Sequence, residues 1–346
     1  MRDNAWENTL IDINSSIEKA INLLDKNGKR ILIVTKNDKY FLGTISDGDI
    51  RRGLITGFQL NSNIKEVINS DSIKVSPNSD HSLILKLMND NEVEQIPEVN
   101  NKGICTGLFL KSLTTQKKLI SSNLLIMAGG EGRRLLPRTK EIPKPLLKVK
   151  GKPIIEHIIE SAKKNGVNDI IVSLNYLGKK IEDYLKDGKK FGVNITYLKE
   201  SKKLGTAGCL SLIEKLPEEP LLVVNGDLIT NVDLNQILNF HLDSKSAATM
   251  GVRMHESQNP FGVVKLSGTD IVGFEEKPIY TSYVNAGIYV INPDCIKYLP
   301  FSEPYDMPNF FDLISSKNKK TSAFMIHESW IDVGRENDFL SANNTL

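Results

Sequence analysis

The chain changes rhythm part of the way along. In its first third, short apolar runs alternate with helical ones. Residues 15–25, SSIEKAINLLD, place Ile17, Ala20, Ile21 and Leu24 on one helical stripe, with Ser15 or Ser16 as the cap. RILIVT and FLGTIS then read as strands around the turn KNDKY, and DGDIRRGLI as a turn entering a helix. The same order returns more weakly. SDHSLILKLMNDN is a helix with Ile84, Leu87 and Met88 on one face, EQIPEVN and GICTGLFL are strands around NNKG, and KSLTTQKKL is a short helix. Two such units of roughly 55 residues predict an internal pair that buries its sheets together. The polar stretch TTQKKLISSN, residues 114–123, is the expected linker.

After the linker the pattern lengthens. LLIMAG, DIIVSLN, NITYLKE and LLVVNGD read as buried strands. Between them PIIEHIIESAKKNG carries Ile154, Ile155, Ile158, Ile159 and Ala162 on one stripe and stops at Gly166. GKKIEDYLKDGKKFG and GTAGCLSLIEKL supply further predicted helices. This alternation predicts an α/β domain with a largely parallel sheet, and such sheets bind ligands at the carboxyl ends of their strands. The predicted division is residues 1–118 and 119–346.

Composition narrows the classes. The 346 residues are 40% hydrophobic and 25% charged, enough to bury a core in each of two or three domains. A net charge of +2 argues against a nucleic-acid partner, whose polyanion needs a strongly basic surface. No apolar run approaches the roughly 18 residues of a membrane span, and MRDNAWENTLIDINSSIEKA has no signal-peptide core. Cys105, Cys209 and Cys295 are odd in number and far apart, so neither a disulfide frame nor a zinc site is readable. A cytoplasmic setting is the expectation.

The chemistry gathers behind the first long-domain strand, in GGEGRRLLPRTKEIPKPLLKVKGKPIIEH from residue 129. Glycines at a strand end let the backbone turn its N–H groups toward an anion, and a helix N-terminus after the loop would strengthen that pull. A dinucleotide GxGxxG fails because Leu135 stands at its third glycine, a P-loop GxxxxGK[ST] is missing, and a plain turn remains open. Arg134 and Lys144 follow closely and suit phosphate oxygens, Lys144 being held between two prolines. Farther on, Asp227 ends a buried strand, where a carboxylate holds Mg²⁺ beside phosphates or merely caps a turn.

The whole string resembles the sugar-nucleotide pyrophosphorylases, with pattern GGxGTRLxPLTxxxPKPxLxVxGKPxxEH; it departs at Arg133, where Thr is usual, and at Arg138, where Leu is usual. The resemblance implies a Rossmann-like, GT-A-like nucleotidyltransferase domain with a mostly parallel mixed sheet. It implies that Ala128, Gly129, Gly130 and Gly132 hold a triphosphate neutralised by Arg134 and Lys144. LGTAGCL is similar to the family's base and ribose loop, giving Gly205, Thr206, Ala207 and Gly208. FEEKP, VNAGIYV and NPFGVV are similar to its sugar-side motifs, giving Glu276, Lys277, Asn285, Gly287 and Gly262. Asp227 and Asp332, the latter in WIDVGRENDF, would hold the catalytic Mg²⁺. The implied reaction joins a nucleoside triphosphate, GTP first, to a sugar 1-phosphate. The acceptors, in order, are glucosamine 1-phosphate and mannose 1-phosphate; uridylyl or thymidylyl transfer follows, and a catalytically silent regulatory or scaffold subunit is the reading of another class. A homo-oligomer is expected.

The first 118 residues resemble a tandem pair of CBS modules, an α+β arrangement. In GTISDGDIRRGL, Ser46 and Asp49 match the family's spacing for an adenosine-nucleotide effector, the alternative being that the pair only packs or dimerises. The second copy has Leu110 and Leu113 at those positions. CBS modules ahead of such a transferase resemble a bacterial branch of glucosamine-1-phosphate guanylyltransferases that feeds legionaminic acid.

Overall fold

The computed structural model describes residues 3, 5–37, 39–91, 93–111 and 123–345. Apart from Lys111 and Asn123, the linker read at 114–123, the short helix read at 111–119 and Leu113 lie outside the described residues. The chain divides into two compact units, Met1–Lys118 and Leu119–Leu346. No helix among the described residues is long and apolar enough to cross a membrane.

The N-terminal unit runs β1 (Leu10–Asp12), α1 (Ile17–Asn27), β2 (Ile31–Lys36), β3 (Tyr40–Ser46), α2 (Asp47–Ile55), α3 (His81–Asp90), β4 (Gln95–Val99) and β5 (Cys105–Leu110). β1 lies parallel to β2, which pairs antiparallel with β3. The second half repeats this in reduced form: Val75 bridges in parallel to Glu98 of β4, and β4 pairs antiparallel with β5. Ser16 caps α1 by accepting from the Lys19 amide at 3.2 Å, and Gly28 ends it in the left-handed region.

Ser46 and Asp49 are bound to each other. The Ser46 hydroxyl accepts from the Asp49 amide at 3.2 Å, and the Asp49 carboxylate accepts from the Ser46 amide at 2.7 Å and hydroxyl at 2.6 Å. Arg52 donates to the other Asp49 oxygen at 2.6 Å. This capping box accounts for the Ser46–Asp49 spacing by helix chemistry alone.

The C-terminal unit contains β6 (Leu124–Met127), the short β7 (Lys148–Val149) and β8 (Lys152–Pro153), α4 (Ile154–Lys164), β9 (Asp169–Leu174), α5 (Gly178–Leu185), β10 (Asn194–Lys199), β11 (Leu221–Asn225), β12 (Leu228–Thr230), α6 (Leu234–Asp243), β13 (Ala248–Gln258), β14 (Val263–Ser267), β15 (Asp270–Glu275), β16 (Ile279–Ile291), α7 (Pro293–Ile296), α8 (Met307–Ser316), β17 (Thr321–Met325), β18 (Trp330–Asp332) and α9 (Glu336–Thr345). Its seven-stranded sheet has the order β10-β9-β6-β11-β16-β13-β17. The run β10-β9-β6-β11 is parallel, β16 is antiparallel to both neighbours, and β17 is parallel to β13. The sheet is therefore mixed and mostly parallel. Alternate residues serve opposite faces. Leu124 and Ile126 of β6 join the α4 stripe, whereas Leu125 joins Leu221, Val223, Met307 and Phe310 across the sheet.

Two predicted helices come out shorter. The 178–192 segment stops at Leu185 because Lys186 has φ +52 and Gly188 φ +82. The 205–216 segment gives only a 3₁₀ turn, Gly208–Leu212, for reasons set by its packing at the site.

Replacing Ser46 with Ala should destabilise α2 by about 1 kcal/mol. Hydrogen exchange should then quicken over residues 47–55 and stay at the wild-type rate over 154–164; unchanged exchange in α2 would contradict the cap.

Candidate active site

The four parallel strands all deliver chemistry at their carboxyl ends: β6 runs into Ala128, Gly129 and Gly130, β9 into Asn175, β10 into Glu200, and β11 into Gly226 and Asp227. The ends are drawn tightly together. The Ala128 amide donates to the Ser173 carbonyl at 3.0 Å and the Gly226 amide to the Met127 carbonyl at 2.9 Å. A Cβ at Gly226 would lie 2.7 Å from the Met127 oxygen, and one at Gly129 2.9 Å from Glu200 Oε1. Gly132 adopts φ +62, with Thr139 and Lys144 against it. Gly130 differs: a Cβ there would meet nothing within 4 Å, so the open space lies at this residue. No α-helix follows the loop directly. Short 3₁₀ turns at Arg133–Leu135, Arg138–Lys140 and Lys144–Leu146 lead to α4 instead. The expected α-helix N-terminus therefore does not follow the loop directly.

Asp227 and Asp332 meet. β12 and β18 pair antiparallel with Leu228 opposite Asp332, and the Val333 amide donates to the Asp227 carbonyl at 3.1 Å. Lys144, only 12% exposed, forms an ion pair with Asp227 Oδ2 and reaches within 3.9 Å of Asp332 Oδ1. Burial, and then the Asp227 charge, push the Asp332 carboxyl up to about 6, while Lys144 and Arg134 pull the other way. Asp332 is half-exposed as a side chain, yet its Oδ1, like Asp227 Oδ1, is cut off from solvent and accepts no hydrogen bond. One shielded, unpartnered carboxylate oxygen on each of two adjacent acids is a donor set that fits a hard divalent cation such as Mg²⁺.

The sugar-side residues divide. Gly287, at φ +72, packs against Asn225, where a Cβ would sit 2.5 Å from Nδ2. Its amide donates to Asn285 Oδ1 at 2.9 Å, and Asn285 Nδ2 donates to the Tyr289 hydroxyl at 2.8 Å. Trp330 Nε1 donates to the Ala286 carbonyl at 2.8 Å, which ties this strand to β18 and hence to Asp332. Gly262, Glu276 and Lys277 gather instead at the root of the β14–β15 hairpin. A Cβ at Gly262 would meet Glu276 Oε2 at 3.1 Å, and Lys277, at φ +45, has its ammonium 4.0 Å from Glu276. Lys277 is exposed, and among the described residues no ion pair joins it to Asp227 or Asp332.

The 204–210 loop is locked from behind. The Ala207 and Gly208 amides donate to the Tyr305 carbonyl at 2.8 and 3.0 Å, the Thr206 amide to Asp306 Oδ1 at 3.2 Å, and the Met307 amide to the Thr206 hydroxyl at 2.7 Å. Gly205, at φ +75, and Gly208 would each set a Cβ against the 303–306 backbone. The amides of 206–208 are therefore engaged within the protein, so no helix N-terminus faces a ligand here. Glu200 was not legible as a site residue. It accepts from the Ser173 hydroxyl at 2.6 Å and from the Leu204 amide at 3.1 Å, and so lies between the glycine loop and the 204–210 loop. Its position at the end of a parallel strand was the available signal.

Because the native state holds the Asp332 proton up to about pH 6 while the unfolded chain loses it near 3.8, stability falls as pH rises through that window. Thermal melts in chelator should show this decline for the wild type and a flatter profile for Asp332→Asn. Added Mg²⁺ should stabilise the wild type more strongly as pH rises past about 6, since the cation needs both acids ionised. Parallel pH profiles for the two proteins would contradict the shared site.

Residues 123–346 match the Nucleotidyl transferase family, and residues 7–56 match the CBS domain. The Mannose-1-phosphate guanyltransferase of Yarrowia lipolytica is 35% identical over 225 residues, covering 63% of this chain and 62% of that protein. The UTP–glucose-1-phosphate uridylyltransferase of Synechocystis sp. is 30% identical over 238 residues, covering 63% and 61%. The matched part thus spans less than two thirds of these curated relatives. The crystal structure of HddC from Yersinia pseudotuberculosis superposes with a TM-score of 0.51 at 25% identity, covering 64% of this chain and 98% of that one. With the acids paired at the carboxyl ends of a mixed, mostly parallel sheet, and the match spanning the whole C-terminal unit, the chain belongs to the nucleotidyl transferase family, carrying a CBS domain ahead of it.

Proposed function

We propose that the protein transfers a nucleotidyl group from a nucleoside triphosphate to a sugar 1-phosphate, with GTP as donor and glucosamine 1-phosphate or mannose 1-phosphate as acceptor. The observation that carries this is the convergence of Asp227, Asp332 and Lys144 beside the open face of Gly130. A phosphate oxygen of the sugar 1-phosphate attacks the α-phosphorus; the new P–O bond forms as the bond to the β-phosphate oxygen breaks, and pyrophosphate departs. The attacking oxygen is already ionised, so no side chain needs to accept a proton. The protein's share is positioning and charge neutralisation. Arg134 and Lys144 offset charge on the triphosphate, and Lys277 holds the sugar phosphate. Mg²⁺ bound by Asp227 and Asp332 would supply further neutralisation of the phosphate oxygens.

Glu200 supports the choice of guanine. A carboxylate between the two nucleotide-side loops can accept from both the N1–H and the N2 amino group of guanine, whereas uracil offers one N–H on that edge. The relatives carry guanylyl, uridylyl and thymidylyl names, so the base is decided by a few such bonds. An adenosine nucleotide at the N-terminal unit belongs to the same proposal as an effector, and would have to replace the bonds Ser46 and Asp49 now make to each other.

Asp227→Asn and Lys277→Ala should each lower turnover by about 10²–10³, measured by pyrophosphate release, with wild-type far-UV spectra. Near-normal release in either contradicts the assignment. Glu200→Gln should reduce the preference for GTP over UTP by roughly tenfold or more. If no pairing of triphosphate and sugar phosphate turns over, the chain is a silent regulatory or scaffold subunit.

A further inference from the structure

The loop between β6 and β7 carries Arg134 and Lys144 but has little regular structure of its own, only the three short 3₁₀ turns. Backbone carbonyls along such a loop need partners from elsewhere. Three consecutive ones find them on a neighbouring segment. The hydroxyl of Tyr176, a half-buried residue, lies 3.2 Å from both the Thr139 and the Lys140 carbonyl, so its single hydrogen is shared between them. The Lys180 ammonium donates to the Glu141 carbonyl. This neighbouring segment is itself fixed at the carboxyl end of β9. Asn175 Nδ2 donates to the Glu200 carbonyl at 3.1 Å, and the Gly178 amide, at the start of α5, donates to the Asn175 carbonyl at 3.1 Å. The Tyr176 amide also approaches the Gly129 carbonyl at 3.5 Å, so one residue reaches both the glycine end of the loop and its middle turn.

The turn that Tyr176 holds is packed against the chemistry. Thr139 is fully buried, and its hydroxyl donates to the Gly132 carbonyl at 2.9 Å. A Cβ on Gly132 would lie 2.8 Å from Thr139 Cγ2 and 3.2 Å from Lys144 Cβ, so these three residues pack as one unit. A shift of 139–141 therefore moves the base of the Lys144 side chain, whose ammonium pairs with Asp227. Arg134 lies within the same loop, between Gly132 and Thr139. Leu135 and Leu147 already bury the apolar side of the loop. The Tyr176 hydroxyl thus sets where the polar side stands rather than whether the loop folds. A half-exposed hydrogen bond adds little to stability, whereas a displacement of about 1 Å among groups that hold a substrate costs on the order of 10²-fold in rate.

We propose that Tyr176 is a positioning residue for nucleotidyl transfer, its hydroxyl holding the 139–141 turn so that Lys144 and Arg134 stay aimed at the triphosphate. This role rests on the transfer reading of the site. It acts through the loop cations, and it is confined to the triphosphate side, because Asn285, Glu276 and Lys277 are held by β16 and the hairpin root.

Tyr176→Phe keeps the ring and removes only the hydroxyl. Steady-state pyrophosphate release by the full chain should show kcat/KM for the triphosphate lowered about tenfold or more, with KM for the sugar 1-phosphate within about twofold of wild type. Hydrogen exchange should quicken over residues 140–147 and stay at the wild-type rate over 154–164. Wild-type kinetics with unchanged exchange at 140–147 overturns the proposal. So does a loss that falls equally on both substrates together with a lowered melting temperature, the mark of a contact that is only structural. If the Phe variant does not fold, Lys180→Met, which releases the Glu141 carbonyl, takes its place with the same expected split. A wild type that turns over no pairing of substrates fails the transfer reading and the positioning role with it; an active wild type matched by its variant fails the positioning role alone.

Discussion

Two carboxylates with adjacent oxygens shielded from water repel each other, and the C-terminal unit is organised around tolerating that repulsion. The two-stranded ladder of β12 and β18 forces Asp227 and Asp332 together although they come from distant parts of the chain. Lys144 offsets the charge from a third direction, and the Asp332 carboxyl answers by holding its proton to about pH 6. Folding alone does not favour such a cluster. It persists because strand pairing, the Trp330–Ala286 hydrogen bond and the packing of Gly287 on Asn225 over-determine the positions.

The glycines around this pair do different work. Gly226 is needed because backbone atoms occupy the space a Cβ would take and Gly287 because it adopts φ +72 against Asn225, whereas a Cβ at Gly129 would press mainly on the Glu200 carboxylate; Gly132 is needed because the chain reverses there. Gly130 alone of the opening group faces open space. A motif of glycines therefore mixes packing necessity with ligand access, and the structure separates the two where spacing cannot. The same holds for the 204–210 loop, whose amides are held by the 305–307 segment and not turned toward a ligand.

Much of this was legible beforehand. Strand positions followed from apolar runs, because parallel strands buried on both faces read as continuous hydrophobic stretches. The Asp227–Asp332 pairing followed from resemblance; no local pattern predicts that two strands so far apart in sequence will pair. Helix lengths were misjudged at 178–192, where the positive φ of Lys186 ends regularity, and at 205–216, where the 206–208 amides are bonded to Tyr305 and Asp306 instead of to the segment's own carbonyls; periodicity reports neither. Ser46 and Asp49 carry two readings at once: one spacing serves both a capping box and the family's nucleotide contact, and the structure makes the capping bonds. Glu200 was missed because a single acid at a strand end carries no motif.

The departures from the family pattern turn out to be local and mutually consistent. Arg138, where Leu is usual, grips Glu336 in a two-pronged contact with its closest approach at 2.7 Å, and lies over the Phe339 ring at 5.0 Å from its centroid. An exposed pair of this kind adds little stability by itself. Its effect is positional, because Glu336 and Phe339 belong to α9, which begins only four residues after Asp332 (336 − 332). The glycine loop and the Asp332 segment are thereby joined on the solvent side, as Lys144 joins them within. Arg133, the other departure, turns to Glu131 in its own loop. One extra cation is thus neutralised inside the loop and the other by α9. Despite seven basic side chains between Arg133 and Lys150, the cations left facing the acidic pair are Arg134 and Lys144. Two cations against three acids, Asp227, Asp332 and the nearby Asp338, leave the cluster about one charge negative (3 − 2), so its field attracts a cation more than it repels one.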